Sequence, residues 1–352
     1  MQSLIQIIKN YFPKSLYDIL RKFYYAFHPR TYVLFLANSK FKSDKLKNIL
    51  INLGTFYLSR LAKKQNIKLS SNAEFIDLRN DNNVVRLSKK HWFYGPDILN
   101  GFNYYFNSVK PINHNDIQLV DFSTPRFHEV NGFNLMPVFF PSFCEPLSTT
   151  DQYIDFADLS SGSIVLDLGA YSGLTSILFK ELVGQSGKVI AVDADKINLE
   201  SIKKNLYLYS NISGNNIEIL EGAIWNHCDG LSFSSEGNMG SSASHIVGSH
   251  RGENELTKSY TLSKLAEIFN LNKVDFIKCD IEGAEQVIFE DSEFFLQFKP
   301  RIIIECHNVD GVSTEKKCIN DLSKYGYSFK HVKQPGVDFP LLECYVESLQ
   351  QS

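Results

Sequence analysis

From Ser163 to Glu305 short apolar runs alternate with stretches of helical period. Val165-Leu166-Asp167-Leu168, Gly187-Lys188-Val189-Ile190-Ala191-Val192-Asp193, Val274-Asp275-Phe276-Ile277-Lys278-Cys279 and Arg301-Ile302-Ile303-Ile304-Glu305 read as buried strands, and Leu174–Lys180 reads as the first intervening helix. Such alternation predicts a parallel sheet with helices on both faces. Residues 317–331 and 340–347 add a last helix and two strands. Ahead of this region the pattern differs. Residues 1–35 place Leu4, Ile8, Tyr11, Leu16, Ile19, Leu20, Phe23, Tyr24 and Phe27 at helical spacing, with lysines and arginines between them. That face suits either a lipid surface or a docking surface on protein. Residues 40–68 read as a pair of basic helices, and 72–94 as short strands around the turn Asp81-Asn82-Asn83. The aromatic-rich stretches 91–97 and 102–106 set rings next to polar groups and fit either a binding pocket or plain core. Residues 120–150 are irregular and proline-bearing. The pattern divides the chain into an N-terminal α+β extension, 1–150, and an α/β domain, 151–352.

The first strand breaks at Asp167 and turns through Gly169-Ala170-Tyr171-Ser172-Gly173 into the helix. Glycine admits positive φ and close approach of a ligand to the backbone, and a fresh helix N-terminus favours anionic groups. Asp193 ends the next strand about where an acid binds ribose hydroxyls in open α/β sheets. Gly-x-Gly-x-x-Gly is not kept, since residue 171 is tyrosine and 174 leucine, and no Gly-Lys-Ser/Thr follows. An acid entering the turn would repel a pyrophosphate but suits an amine. S-adenosylmethionine carries an amine, a carboxylate and a ribose diol, so the charge pattern favours it over a dinucleotide.

Several motifs in order then match a known family: Val165–Ala170, Gly187–Asp193, Leu220-Glu221-Gly222-Ala223-Ile224, Lys278-Cys279-Asp280-Ile281-Glu282-Gly283-Ala284-Glu285 and Lys299-Pro300-Arg301 through Glu305. From about 163 to 308 the chain resembles the FkbM family of S-adenosylmethionine-dependent methyltransferases, associated with O-methylation of sugars and polyketides. The resemblance implies a Rossmann-like class I methyltransferase fold: a mostly parallel seven-stranded sheet with an antiparallel terminal strand. It also implies cofactor contacts from Asp167, Gly169, Ala170, Tyr171, Ser172, Gly173, Asp193, Ala194, Gly222, Ala223 and Asp280. The family more often has Asn at 171, Glu-Pro at 193–194 and Leu-Asp at 262–263. The serine- and glycine-rich stretch 234–252 falls where the family inserts a segment near its active site, and reads as a gate or as a linker.

Methyl transfer to oxygen needs donor and acceptor aligned and a proton removed from the hydroxyl. Asp280 and Glu282 follow one strand, Glu305 and His307 the next, and adjacent strands bring the four into one crevice. Two mechanisms fit: His307 or Glu282 as general base, with Asp280 beside them, or a divalent ion such as magnesium or manganese on Asp280, Glu305 and His307. His227 and His245 are reserve bases. Lys278 and the carboxylates also fit ion pairs that simply close the strand ends, with Glu285 serving a helix N-terminus.

Charge and cysteines add limits. The 352-residue chain has a net charge of −3, but residues 1–68 hold 13 Lys/Arg against Asp18 and Asp44. That asymmetry marks an anionic partner or a membrane surface. Six cysteines without a Cys-x-x-Cys fit reduced thiols, and no signal-peptide core or apolar span of about 18 residues is present. The expectation is a cytoplasmic enzyme, peripheral at the inner membrane face or self-associating, acting on a glycan or small-molecule acceptor and not on nucleic acid. An RNA methyltransferase and a non-catalytic scaffold that kept the cofactor fold are the alternatives. The Asn/Asp-Pro-Pro-Tyr/Phe motif of amino-group methylation is absent, with Asp280-Ile281-Glu282-Gly283 in its place.

Overall fold

The computed structural model describes residues 44–144, 147–235, 242–243, 253–309, 312–334 and 340–347. The amphipathic segment 1–35 and most of the serine-rich stretch, with His245, lie outside them. The chain divides into two compact units, residues 1–100 with 113–123, and residues 101–112 with 124–352. The sequence boundary at 150 falls inside a helix, Leu147–Ala157.

In the first unit, helix α1 (Asp44–Lys64) runs unbroken for 21 residues where two helices were expected. It passes through Gly54 because that glycine is a packing position: a Cβ there would lie 2.5 Å from the Trp92 ring. One turn on, Leu58 fits against Gly95 in the same way. Trp92 is thereby spent on the core, 2% exposed, and not on an acceptor pocket. Strands 68–71, 75–80, 83–88 and 117–122 pair in that order; the middle two form the predicted hairpin, with Asp81 at φ 50.

The second unit is built on a seven-stranded sheet, numbered here β1 (Ile164–Leu168), β2 (Lys188–Asp193), β3 (Glu218–Glu221), β4 (Phe276–Cys279), β5 (Arg301–Glu305), β6 (Ser328–Val332) and β7 (Leu341–Tyr345). Their order is β3-β2-β1-β4-β5-β7-β6, and only β7 runs antiparallel to its neighbours. Strands covered on both faces are near-continuously apolar, and these are. Leu166, Leu168, Ile190, Val192, Ile277 and Ile304 fill one core, while Val165, Val189, Ala191, Phe276 and Ile303 fill the other. Helices α2 (Leu147–Ala157), α3 (Leu174–Val183) and α4 (Lys196–Ser213) belong to the second of these cores.

Strand order reverses between β1 and β4, the switch point where open α/β sheets bind ligands. The strands Leu231–Ser235 and Glu253–Thr257 pair antiparallel, and Ser242–Ala243 pairs with the other edge of the first, so that a three-stranded arm is inserted in the chain between β3 and β4.

Candidate active site

The turn after β1 is held by the sheet itself. Gly169 and Ala170 both donate to Val192 O of β2, and Asp280 N–H donates to Leu168 O. At Gly169, φ is 78 and a Cβ would stand 1.8 Å from Asp280 O, so glycine alone fits between β1 and β4. Tyr171 also has positive φ, 50, uncommon for a bulky residue. Its N–H donates to Asp193 Oδ2 at 2.9 Å. Its hydroxyl donates to Phe143 O at 2.6 Å and meets Ser142 Oγ at 2.9 Å. The segment before the cofactor domain is thus tied to the glycine turn. Asn205 of α4 adds a second tie, donating to both Phe139 O and Ser172 O.

A cavity of about 640 Å³, its open mouth included, lies over the C-terminal ends of β1, β2, β3 and β4. Gly169, Tyr171, Asp193, Ala194, Gly222 and Ala223 line one side of it. Asp280, Ile281 and Glu282 line another, and Trp225 and Phe233 give it an aromatic wall. Asp193 also accepts from Asp195 N–H at 2.9 Å. Burial, working against those backbone hydrogen bonds, pushes its carboxyl up to about 7. Asn198 Nδ2 also lies 3.5 Å and 3.4 Å from its two oxygens, longer contacts that a ligand's hydroxyls could replace.

Four expected contacts do not line the cavity. Asp167 is fully buried and does not line the cavity: its Oδ2 accepts from Thr175 and Ser176, and Lys278 Nζ lies 3.6 Å from Oδ1. Ser172 and Gly173 are turned away too, Gly173 packing on Ile202 and Leu206. Ala170, wholly buried, serves the turn through its backbone.

Below the cavity the second group assembles. His307 Nε2 faces Asp280 at 3.6 Å, Glu282 at 3.6 Å and Glu305 at 3.7 Å. Its Nδ1 lies 3.2 Å from Glu285 Oε1. Glu285 does start the helix Glu285–Ile288, but its buried carboxylate also accepts from Gly283 N–H, His307 N–H and Thr314 Oγ1. Burial alone would lower His307; the charges of Glu282, Glu285 and Glu305 carry it well above its ordinary value. Burial opposes the charge on Glu285, yet His307 holds that carboxyl below its usual range. Glu282 and Glu305 go the other way. Burial, reinforced by Asp280, pushes them up to about 8 and about 7. Glu282 sits at φ 51, a strained backbone for a side chain that lines the cavity. Tyr153 of α2 donates to Glu305 Oε2 at 3.3 Å.

His227 stands on an exposed turn beside Asp229 and takes no part in this cluster. Sequence reasoning passed over Trp225, Phe233 and Tyr153. Trp225 directly follows the Gly222-Ala223-Ile224 motif, which was a usable signal; Phe233 and Tyr153 come from the arm and the pre-domain helix, whose placement no local pattern fixes.

The sheet order, with one antiparallel strand second from the edge and a cavity over β1, β2 and β4, defines a class I methyltransferase fold. Residues 167–329, all within the second unit, match the model of the Methyltransferase FkbM domain. No curated protein matches the chain. Among solved structures, the methyltransferase FkbM of Methylobacillus flagellatus is similar at 16% identity, over 84% of this chain and 60% of that one, with a TM-score of 0.41. Precorrin-6y C5,15-methyltransferase of Geobacter metallireducens is similar at 15% identity, over 57% and 88%, with a TM-score of 0.37. Aeropyrum pernix fibrillarin, solved with natively bound S-adenosyl-L-methionine, is similar at 11% identity, over 80% and 99%, with a TM-score of 0.36.

Proposed function

We propose that the second unit transfers a methyl group from S-adenosylmethionine to a hydroxyl oxygen, and that the acceptor is a sugar of a glycan or glycolipid. One observation carries the oxygen chemistry: Glu282, a carboxyl pushed up to about 8, lines the cavity over the strand ends. A base is most useful when its pKa lies near working pH. The sugar acceptor rests on the FkbM domain alone.

The cavity fits the cofactor. Asp193 is placed to accept ribose hydroxyls, the backbone at Gly222-Ala223 and the wall of Trp225 and Phe233 suit a planar base, and the glycine turn admits close approach of the amino-acid end. S-adenosylmethionine supplies, when bound, an electrophilic methyl on a sulfonium. Glu282 accepts the acceptor's hydroxyl proton. His307, held by Glu285, keeps its charge against Asp280, Glu282 and Glu305 and so steadies the carboxylate form of the base.

A second reading places a divalent ion on Asp280, Glu305 and His307, whose ligand atoms all lie within 4.8 Å of one another. Glu285 on Nδ1 leaves Nε2 turned to the cluster, an arrangement common to metal-binding histidines. Such an ion would lower the pKa of a bound hydroxyl. It competes with the first reading, because a protonated His307 has no lone pair to give.

A thermal shift experiment separates these readings. S-adenosylhomocysteine at about a hundredfold excess over its Kd should stabilise the protein by about 2.7 kcal/mol, or roughly 5 °C or more, whereas NAD should not. If manganese shifts the midpoint and a chelator reverses it, the metal reading gains; a shift with NAD alone sinks both. Comparing glycans from cells with and without the gene by mass spectrometry, for the gain of one CH₂, tests the acceptor.

Tyr171 gives a further expectation. Tyr171→Phe removes the hydroxyl's two bonds, to the Phe143 carbonyl and to Ser142 Oγ, at a cost of about 1–3 kcal/mol for the two together. Calorimetric titration should show S-adenosylhomocysteine binding weakened by roughly 5-fold or more. Unchanged affinity would mean that the pre-domain segment does not shape the cofactor pocket.

A further inference from the structure

Helix α1 has two unlike faces. Gly54, Leu58 and Ala62 are turned inward, each buried. On the opposite stripe Leu53 and Phe56 are 53% and 58% exposed, followed one and two turns later by exposed Arg60, Lys63 and Lys64. These positions recur at helical spacing and form one continuous band. The Arg60 guanidinium lies 4.8 Å from the centre of the Phe56 ring, which places a cation directly over the apolar patch. Along the helix Asp44 is the single acid against Lys45, Lys47, Arg60, Lys63 and Lys64.

An occupant of this band must tolerate apolar groups and supply negative charge. Residues 1–43 do not qualify, since they carry seven Lys/Arg against Asp18 and would bring like charge to the band. Apolar groups beside a row of cations are the pattern of a helix lying in a bilayer interface, with rings and leucines among the acyl chains and cations at the phosphates. No helix among the described residues is long and apolar enough to cross a membrane.

We propose that the exposed face of α1, through Leu53, Phe56, Arg60, Lys63 and Lys64, is a docking surface for an anionic lipid bilayer. Leu53 and Phe56 insert, and the three cations set the requirement for acidic headgroups. The inference stands on the first unit alone and does not rest on the methyl-transfer reading.

Co-sedimentation of the full chain with vesicles tests it. The protein should partition onto phosphatidylcholine vesicles containing about a third phosphatidylglycerol, weakly onto phosphatidylcholine alone, and less as salt rises. Leu53→Ser with Phe56→Ser should lower partition tenfold or more with only a small drop in melting temperature, because both side chains are more than half exposed in the free protein. Replacing Arg60, Lys63 and Lys64 by Gln should cost about fivefold per cation and flatten the salt dependence. If the serine variant binds as well as the unaltered protein, attraction comes from residues 1–43 and the proposal fails. It fails equally if anionic vesicles are ignored, or if the band instead joins two copies, seen as a dimer in light scattering that the serine variant loses.

Discussion

Glu282→Gln should lower kcat by about 10²–10⁴-fold while leaving S-adenosylhomocysteine affinity within roughly threefold of its original value. Glutamine keeps the shape and the polar contact but cannot take the proton. The unaltered enzyme should show kcat/KM rising with pH and levelling above about 8, because the carboxylate form of Glu282 accumulates only as pH passes its raised pKa. In the variant that limb should vanish. Stability moves in the opposite sense. A carboxyl that titrates near 4.5 when unfolded and near 8 when folded keeps its proton in the native state over that window, so it makes stability fall as pH rises from the lower value to the higher. The variant's melting temperature should therefore decline less between about pH 6 and about pH 9. Unchanged kcat with Gln at 282 would remove this residue from the chemistry and leave the metal reading as the stronger one.

Much of this was legible in the sequence because continuous apolar runs and the acids that end them are local signals. The seven strands, the hairpin at Asp81 and the convergence of Asp280, Glu282, Glu305 and His307 follow from apolar runs and from adjacency of parallel strands. What escaped depends on which way a side chain faces. Asp167 reads from sequence as an acid at the mouth of a turn, yet a residue inside β1 is set by the pleat, and it faces Thr175, Ser176 and Lys278 beneath the turn. Glu285 reads as a helix-start acid, and only the return of β5 brings His307 to it. Ser263, where the family more often has Asp, gave no local hint of its role: its N–H and hydroxyl both donate to Asp291. Gly54 reads equally as a break or as a contact, and only the position of Trp92 decides.

Lys278→Met should be the most destabilising single change in the sheet. Lys278 is wholly buried in β4 and its Nζ donates to Gly169 O at 2.7 Å. It stands 3.6 Å from Asp167 and 3.5 Å from Asp280. Asp167 Oδ1 is buried with no hydrogen bond, so the lysine's charge is what offsets its own. An exposed ion pair would be worth about 0–1 kcal/mol, but removing one partner of a buried pair strands a charge in low dielectric and costs about 3–5 kcal/mol. Methionine reproduces the lysine side chain as far as Cε and lacks only the ammonium group, so loss of packing adds little. The urea midpoint should fall accordingly. Adding Asp167→Asn should then recover part of the loss, because the stranded charge is gone and the amide can still accept from Thr175 or Ser176. Strict additivity of the two changes would mean the two charges do not feel one another. Partial recovery without recovered cofactor binding would show that the lysine also shapes the turn, through the Gly169 carbonyl it holds.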